Sequence, residues 1–182
     1  MRKIIVTEYI TLDGVMEAPH MWHNPWWSDD ILDYKSKELT ECDALLMGRV
    51  TYEEMAPVWP TMKDEIGYAD KMNSMPKYVV SDAAIKTDWN NTHVIKGDVQ
   101  KELAELKGKP GQDILVFGSA TLVNSLLQSG LIDEYRLMLF PLVLGSGKRL
   151  WQDGSKVSSL ELVEAKTFST GVVNLIYKKE VK

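Results

Sequence analysis

The sequence is short of cysteine and of long apolar runs. Cys42 is the single cysteine among 182 residues, so the chain can form no internal disulfide, and it contains no CxxC pair for zinc. Its first residues lack the apolar segment of a signal peptide, and no apolar run approaches the roughly 18 residues that a membrane span needs. We therefore expect a cytoplasmic protein that does not bind a membrane.

An excess of positive charge is also absent. The 21 lysines and arginines are outnumbered by 26 aspartates and glutamates, for a formal net charge of -5 at pH 7, whereas proteins that bind nucleic acid present a basic face. We therefore expect a small-molecule ligand and no nucleic-acid partner. The 45% hydrophobic and 26% charged residues are typical of a globular protein, and the length favours a single domain, residues 1–182.

Two strand-glycine-helix junctions organise the chain. The apolar residues 44–47 predict a buried strand that turns at Gly48 into a helix over 50–56, and a second strand, 113–117, runs into Gly118 and another helix. Helix starts favour anions, because their free backbone N–H groups and their dipole are positive. A phosphate-bearing ligand is therefore the first hypothesis. The alternative is that Gly48 makes a turn, Arg49 is solvated and Thr51 caps a helix.

The other segments complete an α/β pattern. Further strands are predicted at 3–9, 77–81, 92–95, 134–140, 160–168 and 172–179, and further helices at 28–41, capped by Ser28, at 65–72 and after the cap Asp98 up to Gly108. Alternating strands and helices over 44–129 require right-handed crossovers and a largely parallel sheet. We predict an α/β/α three-layer fold whose mixed, mostly parallel sheet ends in an antiparallel C-terminal hairpin.

The segment 15–27 has neither a helical nor a strand period and is rich in aromatic residues. Its tryptophans, Trp22, Trp26 and Trp27, indicate a binding loop, or equally an aromatic plug or a dimer contact. His20 and His23 could share a metal ion, but the segment offers no clear third ligand. We therefore predict no metal site.

Six motifs, in this order and spacing, resemble one known family over nearly the whole chain. They are residues 12–19 (LDGVMEAP), 46–53 (LMGRVTYE), 79–81 (VVS), 116–120 (VFGSA), 131–134 (LIDE) and 141–147 (PLVLGSG). The chain resembles the dihydrofolate reductase-like superfamily and, within it, the C-terminal reductase domain of the riboflavin biosynthesis enzyme RibD.

The resemblance implies that NADPH binds across the carboxyl ends of the central strands. Gly48, Arg49 and Thr51 would then meet the adenosine side with its phosphates, and Ser81 would lie beside the ribose 2′-phosphate. The residues that would cradle the pyrophosphate are Gly118, Ser119, Ala120, Thr121 and Leu122. The resemblance also implies a homodimer formed through the C-terminal strands and the loop 145–151.

The implied reaction is hydride transfer to a small heteroaromatic substrate, with a proton supplied by a carboxyl group of raised pKa. The candidates are Asp13 and Asp30, although Asp30 could serve only the helix start and Asp13 only an Asp-Gly turn. Trp22, Trp26 and Trp27 could wall a pterin or pyrimidine ring. Substrates like folate and like 5-amino-6-(5-phosphoribosylamino)uracil both stay open. So does an alternative function, binding of NADP(H) without turnover.

Overall fold

The computed structural model describes residues 1–154 and 159–180. The strands are β1 (Ile4–Thr11), β2 (Cys42–Gly48), β3 (Lys77–Val80), β4 (Thr92–Ile95), β5 (Asp113–Phe117), β6 (Glu134–Phe140), β7 (Leu160–Thr167) and β8 (Val173–Lys179). The α-helices are α1 (Asp29–Thr40), α2 (Arg49–Met55), α3 (Tyr68–Ser74), α4 (Val99–Gly108) and α5 (Ala120–Leu126). Short 3₁₀ turns lie at Pro19–Met21, Asn24–Trp26 and Trp59–Thr61.

All eight strands form one sheet in the order β4-β3-β2-β5-β1-β6-β8-β7. Every pairing from β4 to β6 is parallel, and β8 pairs antiparallel with both β6 and β7. The predicted fold class, mostly parallel with an antiparallel C-terminal edge, is confirmed. Among the described residues, no helix is both long and apolar enough to span a bilayer.

The two faces of the sheet are covered by different helices. Leu39 of α1, Tyr52 of α2 and Met72 of α3 pack with Ile5 and Leu45 on one face. The side chains on the other face include Leu103 and Leu106 of α4, and Leu122, Val123 and Leu126 of α5, with Val6 and Val116. Because successive strand residues point to opposite faces, residues 44–47 of β2 and 114–117 of β5 are apolar on both faces, as the sequence indicates.

This layering places a change of direction at β5. The connections that leave β1 and β2 run over the face of α1–α3, whereas the connection that leaves β5 runs over the opposite face. Since β5 lies between β2 and β1, the chains diverge at its carboxyl end and leave a crevice there. Open α/β sheets bind their ligands at such points.

Helix starts differ in detail from the expectation. Asp98 caps α4 as predicted, since its carboxylate accepts a hydrogen bond from the Lys101 N–H at 3.1 Å. Ser28 occupies the N-cap position of α1, but its hydroxyl makes no cap and donates instead to Asp30 Oδ1. The predicted helix over 65–72 is displaced to Tyr68–Ser74.

Candidate functional site

The two glycine junctions meet at the carboxyl edge of the sheet. The backbone N–H of Gly48 donates to Ser119 Oγ at 2.7 Å, and the hydroxyl oxygens of Ser119 and Thr51 lie 2.8 Å apart. These contacts join the end of β2 to the end of β5 across 71 residues of sequence. The corner at Gly48 and the corner at Gly118 therefore lie side by side at the point where the connections diverge.

The corner at Gly118 is tight enough to require its residue types. Gly118 has φ +56°, and a Cβ atom there would lie 3.0 Å from both Cγ2 and Oγ1 of Thr51. Ser119 follows with φ +68°, an unusual value for a residue with a side chain. Its hydroxyl accepts from Gly48 and donates to the Phe117 carbonyl at 3.2 Å, which compensates for this conformation.

Cationic side chains flank the two corners. Arg49 follows Gly48 directly; its guanidinium is 44% exposed and pairs with Glu53 at 2.7 Å. Lys148, from the loop that follows β6, donates from Nζ to Thr121 Oγ1 at 2.9 Å. Positive charge thus reaches both helix starts, a suitable environment for phosphate groups.

Ser81 lies at the same edge, one strand away. It follows Val80, which pairs with Gly48 in the sheet register. Its side chain is buried, and its hydroxyl donates to the Ala83 carbonyl at 3.0 Å. Ala120 and Leu122 of α5 are buried as well, so the part of this corner open to a ligand is Thr121, with the half-buried Gly118 and Ser119 before it.

Asp13 has the opposite electrostatics from those expected of a proton donor. Its carboxylate accepts hydrogen bonds from the Thr11 hydroxyl at 2.6 Å and the Gly145 N–H at 2.9 Å. These bonds lower its pKa, the Thr11 contact having the largest effect, because they stabilise the charged form. Arg149 Nε donates to the backbone carbonyl of Asp13 at 2.9 Å, and Arg149 Nη2 lies 3.8 Å from Asp13 Oδ2. Asp13 therefore anchors the loop after β6, and the expectation of a raised pKa is wrong.

The expectation of a raised pKa is also wrong for Asp30. Oδ1 accepts from the Ser28 hydroxyl and from Ser169 Oγ at 3.1 Å, and Oδ2 accepts from the Ser169 N–H at 2.8 Å. The pKa of Asp30 is lowered, first by the Ser28 bond and next by the Ser169 N–H. This carboxylate ties the start of α1 to the turn between β7 and β8. It supports the alternative of a structural role at the helix start.

The tryptophans of the loop 15–27 divide into two groups. Trp22 is 8% exposed, packs edge-on against Phe140 with ring centroids 5.4 Å apart, and donates from Nε1 to the Glu17 carbonyl. It is a buried plug rather than an open wall. Trp26 and Trp27 are half-buried and pack on the same core cluster.

A second aromatic group stands at the end of β1. The ring of His23 lies 5.2 Å from that of Trp27 and 5.6 Å from that of Tyr9, and its Nδ1 is 2.8 Å from the Pro19 carbonyl. Within residues 1–154 and 159–180, no cluster of three or more His, Cys, Asp or Glu residues could hold a metal ion. His23 is thus part of the aromatic surface that the loop presents.

Comparison with known proteins identifies the family. The RibD C-terminal domain matches residues 2–174. The chain belongs to the RibD C-terminal domain family. Two Bacillus subtilis (strain 168) relatives are 32% identical, over 97% of this chain and 94% of the relative, and 27% identical, over 94% and 95%. They are named uncharacterized protein YyaP and uncharacterized protein YwjB.

Solved structures share the fold of this RibD C-terminal domain. A candidate riboflavin biosynthesis protein from Shewanella sp. PV-4 has a TM-score of 0.80 at 20% identity, covering 98% of this chain and 99% of that chain. A Thermotoga maritima diaminohydroxyphosphoribosylaminopyrimidine deaminase/5-amino-6-(5-phosphoribosylamino)uracil reductase has 0.67 at 17%, covering 98% and 56%. Enterococcus faecalis dihydrofolate reductase, complexed with NADP(H) and RAB-propyl, has 0.66 at 15%, covering 98% and 97%. The chain therefore has a reductase-type fold.

The sequence patterns did not identify one buried carboxyl group, that of Glu8. Glu8 lies in the middle of β1, is 4% exposed, and has a buried Oε1 with no hydrogen-bond partner. Burial raises its pKa well above the usual value, against the opposing effect of the Lys35 charge. The available signal was one acidic residue in an otherwise apolar and β-branched strand. Periodicity does not show whether such a residue is buried.

Proposed function

We propose that this protein is an NADPH-dependent oxidoreductase that transfers a hydride to a small heteroaromatic substrate. The observation that carries the proposal is that Ser119 bonds the Gly48 corner to the Gly118 corner. Both corners lie at the carboxyl edge of the sheet, where the connection that follows β5 diverges from the connections that follow β1 and β2. The tight turn at Gly118, which leaves no room for a Cβ atom, would let a pyrophosphate approach the backbone at the start of α5 closely.

The charges around the crevice fit a phosphorylated dinucleotide. The exposed guanidinium of Arg49 would bind the ribose 2′-phosphate beside Ser81. Lys148, whose Nζ contacts Thr121 at the start of α5, would bind the pyrophosphate. The Enterococcus dihydrofolate reductase of the same fold is complexed with NADP(H), which supports the choice of cofactor. When bound, this cofactor supplies the hydride.

The aromatic surface at the end of β1 suits a flat substrate. Tyr9, His23 and Trp27 form a connected set of rings, and Trp26 lies beside them. An aromatic wall gains contact with a planar ring without needing a charge. The names of two proteins with this fold refer to reductases of dihydrofolate and of a ribosylaminouracil, so a pterin or pyrimidine is the proposed substrate class.

Cofactor titration of the wild type and of Arg49→Ala tests the binding part. NADPH and NADH are added while tryptophan fluorescence is followed. A charge-assisted hydrogen bond contributes about 1.5–3 kcal/mol, so Arg49→Ala should weaken NADPH binding roughly 10- to 150-fold and leave NADH nearly unchanged. Lys109→Ala, an exposed cation just after α4 at the opposite edge, is the matched control. Equal losses for both nucleotides would refute the assignment of Arg49.

Turnover is tested with a substrate panel. Dihydrofolate, dihydropterins and 5-amino-6-(5-phosphoribosylamino)uracil are each mixed with protein and NADPH, and the loss of dihydronicotinamide absorbance is recorded. Oxidation with one of them supports a reductase. A nucleotide-binding protein without turnover is the second candidate, and it is favoured by the lowered pKa values of Asp13 and Asp30. Binding of NADPH without oxidation across the panel would support it.

A further inference from the structure

Glu8 lies where β1 loses one of its two neighbours. Thr7 pairs with Phe117, the last residue of β5, whereas Glu8 is paired with Leu137 of β6 alone. The chain turns away from β1 at Gly118, whose backbone N–H faces the Glu8 carboxyl. Glu8 therefore lies buried beside the carboxyl end of β5, next to the Gly118 corner that lines the crevice.

Nearby cations are already engaged with other groups. Lys35 of α1 forms an ion pair with Glu38 and donates to Thr7 Oγ1 at 2.8 Å. Arg136 of β6 donates to Glu134 at 2.7 Å and lies 3.6 Å from Glu38.

This arrangement leaves the Glu8 carboxyl without a neutralising partner. A buried carboxylate that lacks one takes up a proton instead of remaining charged. Burial is the largest influence on the Glu8 pKa and raises it; Lys35 and the Gly118 N–H lower it, and Glu38 raises it further. These surroundings therefore favour the neutral form of the Glu8 carboxyl, which carries an O–H donor.

We propose that Glu8 is the proton donor of the reductase site. The inference rests on the function proposed above. With hydride and its electron pair delivered to the carbon of a substrate C=N bond, the π pair of that bond moves to nitrogen. The Glu8 O–H bond breaks and an N–H bond forms on this nitrogen. Glu8 is left as a carboxylate and regains a proton from water before the next turnover.

The positively charged nicotinamide ring of NADP⁺ should favour the ionised form of Glu8, so binding of NADP⁺ should release the proton of Glu8. Binding of NADP⁺ and of NADPH is measured by calorimetry in two buffers of different ionisation enthalpy. We expect NADP⁺ to release up to about one proton, NADPH to release markedly less, and Glu8→Gln to abolish the difference. Equal proton release by the wild type and Glu8→Gln would overturn the proposal.

Glu134→Gln is the matched control for this measurement. Glu134 is also 4% exposed and lies on the neighbouring strand β6, but it is paired with Arg136 and stands beside Ile5, toward the other edge of the sheet. Its replacement should leave proton release by NADP⁺ unchanged. Loss of proton release in both variants would assign the effect to general disturbance of the sheet and overturn the role of Glu8.

Turnover separates this inference from the proposed function. Glu8→Gln should bind NADPH within about threefold of the wild type and lose roughly 100-fold or more in kcat, the scale of general acid catalysis. Glu8→Asp should recover part of this loss. A wild type that does not bind NADPH refutes both proposals, whereas a Glu8→Gln variant as active as the wild type refutes only this one. If no compound of the panel is a substrate, the proton release measured on NADP⁺ binding tests the role of Glu8.

A stability measurement checks the protonation state without any ligand. A folded-state pKa above the unfolded value of 4.5 gives stability that is present below that value and is lost as pH rises through the folded-state pKa. Glu8→Gln cannot titrate, so its free energy of unfolding relative to the wild type should increase as pH rises above 4.5. A pH-independent difference would show that Glu8 is ionised in the folded protein and would overturn the proposal.

Discussion

Replacement of Gly118 by alanine tests the tight corner on which the site depends. An alanine would have to adopt the left-handed φ of +56° that Gly118 has, and its Cβ would lie 3.0 Å from Thr51 Cγ2 and Oγ1. The conformational cost is about 1–2 kcal/mol, and overpacking adds about 1–3 kcal/mol. We therefore expect the free energy of unfolding to fall by about 2–5 kcal/mol, measured by urea denaturation with two-state analysis.

Gly67→Ala separates the two contributions. Gly67 has φ +77°, and no atom lies within 4 Å of the position that an alanine Cβ would take there, so its replacement carries the conformational cost alone, about 1–2 kcal/mol. Thr51→Ser, which removes Cγ2, should restore part of the stability lost in Gly118→Ala and none of that lost in Gly67→Ala. A double-mutant cycle isolates this coupling.

Ligand binding gives a second measurement on the same variants. Gly118→Ala should weaken NADPH binding, because the side chain fills the cradle at the end of β5, whereas Gly67→Ala lies outside the proposed site and should not. Equal destabilisation by the two alanines, together with no recovery by Thr51→Ser, would refute the steric argument. Unchanged NADPH affinity in Gly118→Ala would refute the assignment of this corner to the pyrophosphate.

Three further predictions concern charged groups. Asp30→Asn should lower the free energy of unfolding near neutral pH, and its difference from the wild type should vanish as pH falls below 3.8. The reason is that a carboxyl group with a lowered pKa contributes stability only where the unfolded-state carboxyl is ionised. Urea midpoints at several pH values measure this difference, and a constant difference would contradict the prediction. Lys77 is fully buried, and burial lowers its pKa from 10.5 to about 8, so the wild type should gain stability relative to Lys77→Met as pH rises from 8 to 10.5, which denaturation at the two pH values would check. Asp13→Asn should raise the susceptibility of the loop after β6 to limited proteolysis, because Gly145 loses its charged acceptor; an unchanged cleavage pattern would contradict the anchoring role.

The fold could be predicted from the sequence because its signals are local. Strands β4, β5 and β6 have the predicted limits, since each ends in at least two consecutive apolar residues that are followed by a polar or turn-forming residue. The misplaced helix α3 shows where local patterns fail. Asp64 accepts hydrogen bonds from the N–H groups of Ile66, Tyr68 and Ala69, so this carboxylate organises a turn before the helix and delays its start to Tyr68.

The site could be predicted only in part, because its decisive contacts are distant in sequence. The glycine corners follow from local junctions and parallel topology, which brings the carboxyl ends of strands to one edge. The environments of the two aspartates do not, since the Gly145 N–H is 132 residues from Asp13 and the Ser169 N–H is 139 residues from Asp30. The roles of the site residues and the homodimer stay predictions.

Glu8 destabilises the fold, and such a residue indicates where a functional group is needed. β1 lies between β5 and β6 with both faces covered, so an apolar side chain at this position would pack without an orphaned oxygen. A buried polar atom without a partner costs about 1–3 kcal/mol, a large part of the usual stability of a domain. The cost falls beside Gly118, next to the corner that is proposed to hold the cofactor. If Glu8 serves only the fold, Glu8→Gln and Glu8→Leu should both retain turnover; if it donates the proton, both variants should lose turnover and still bind NADPH.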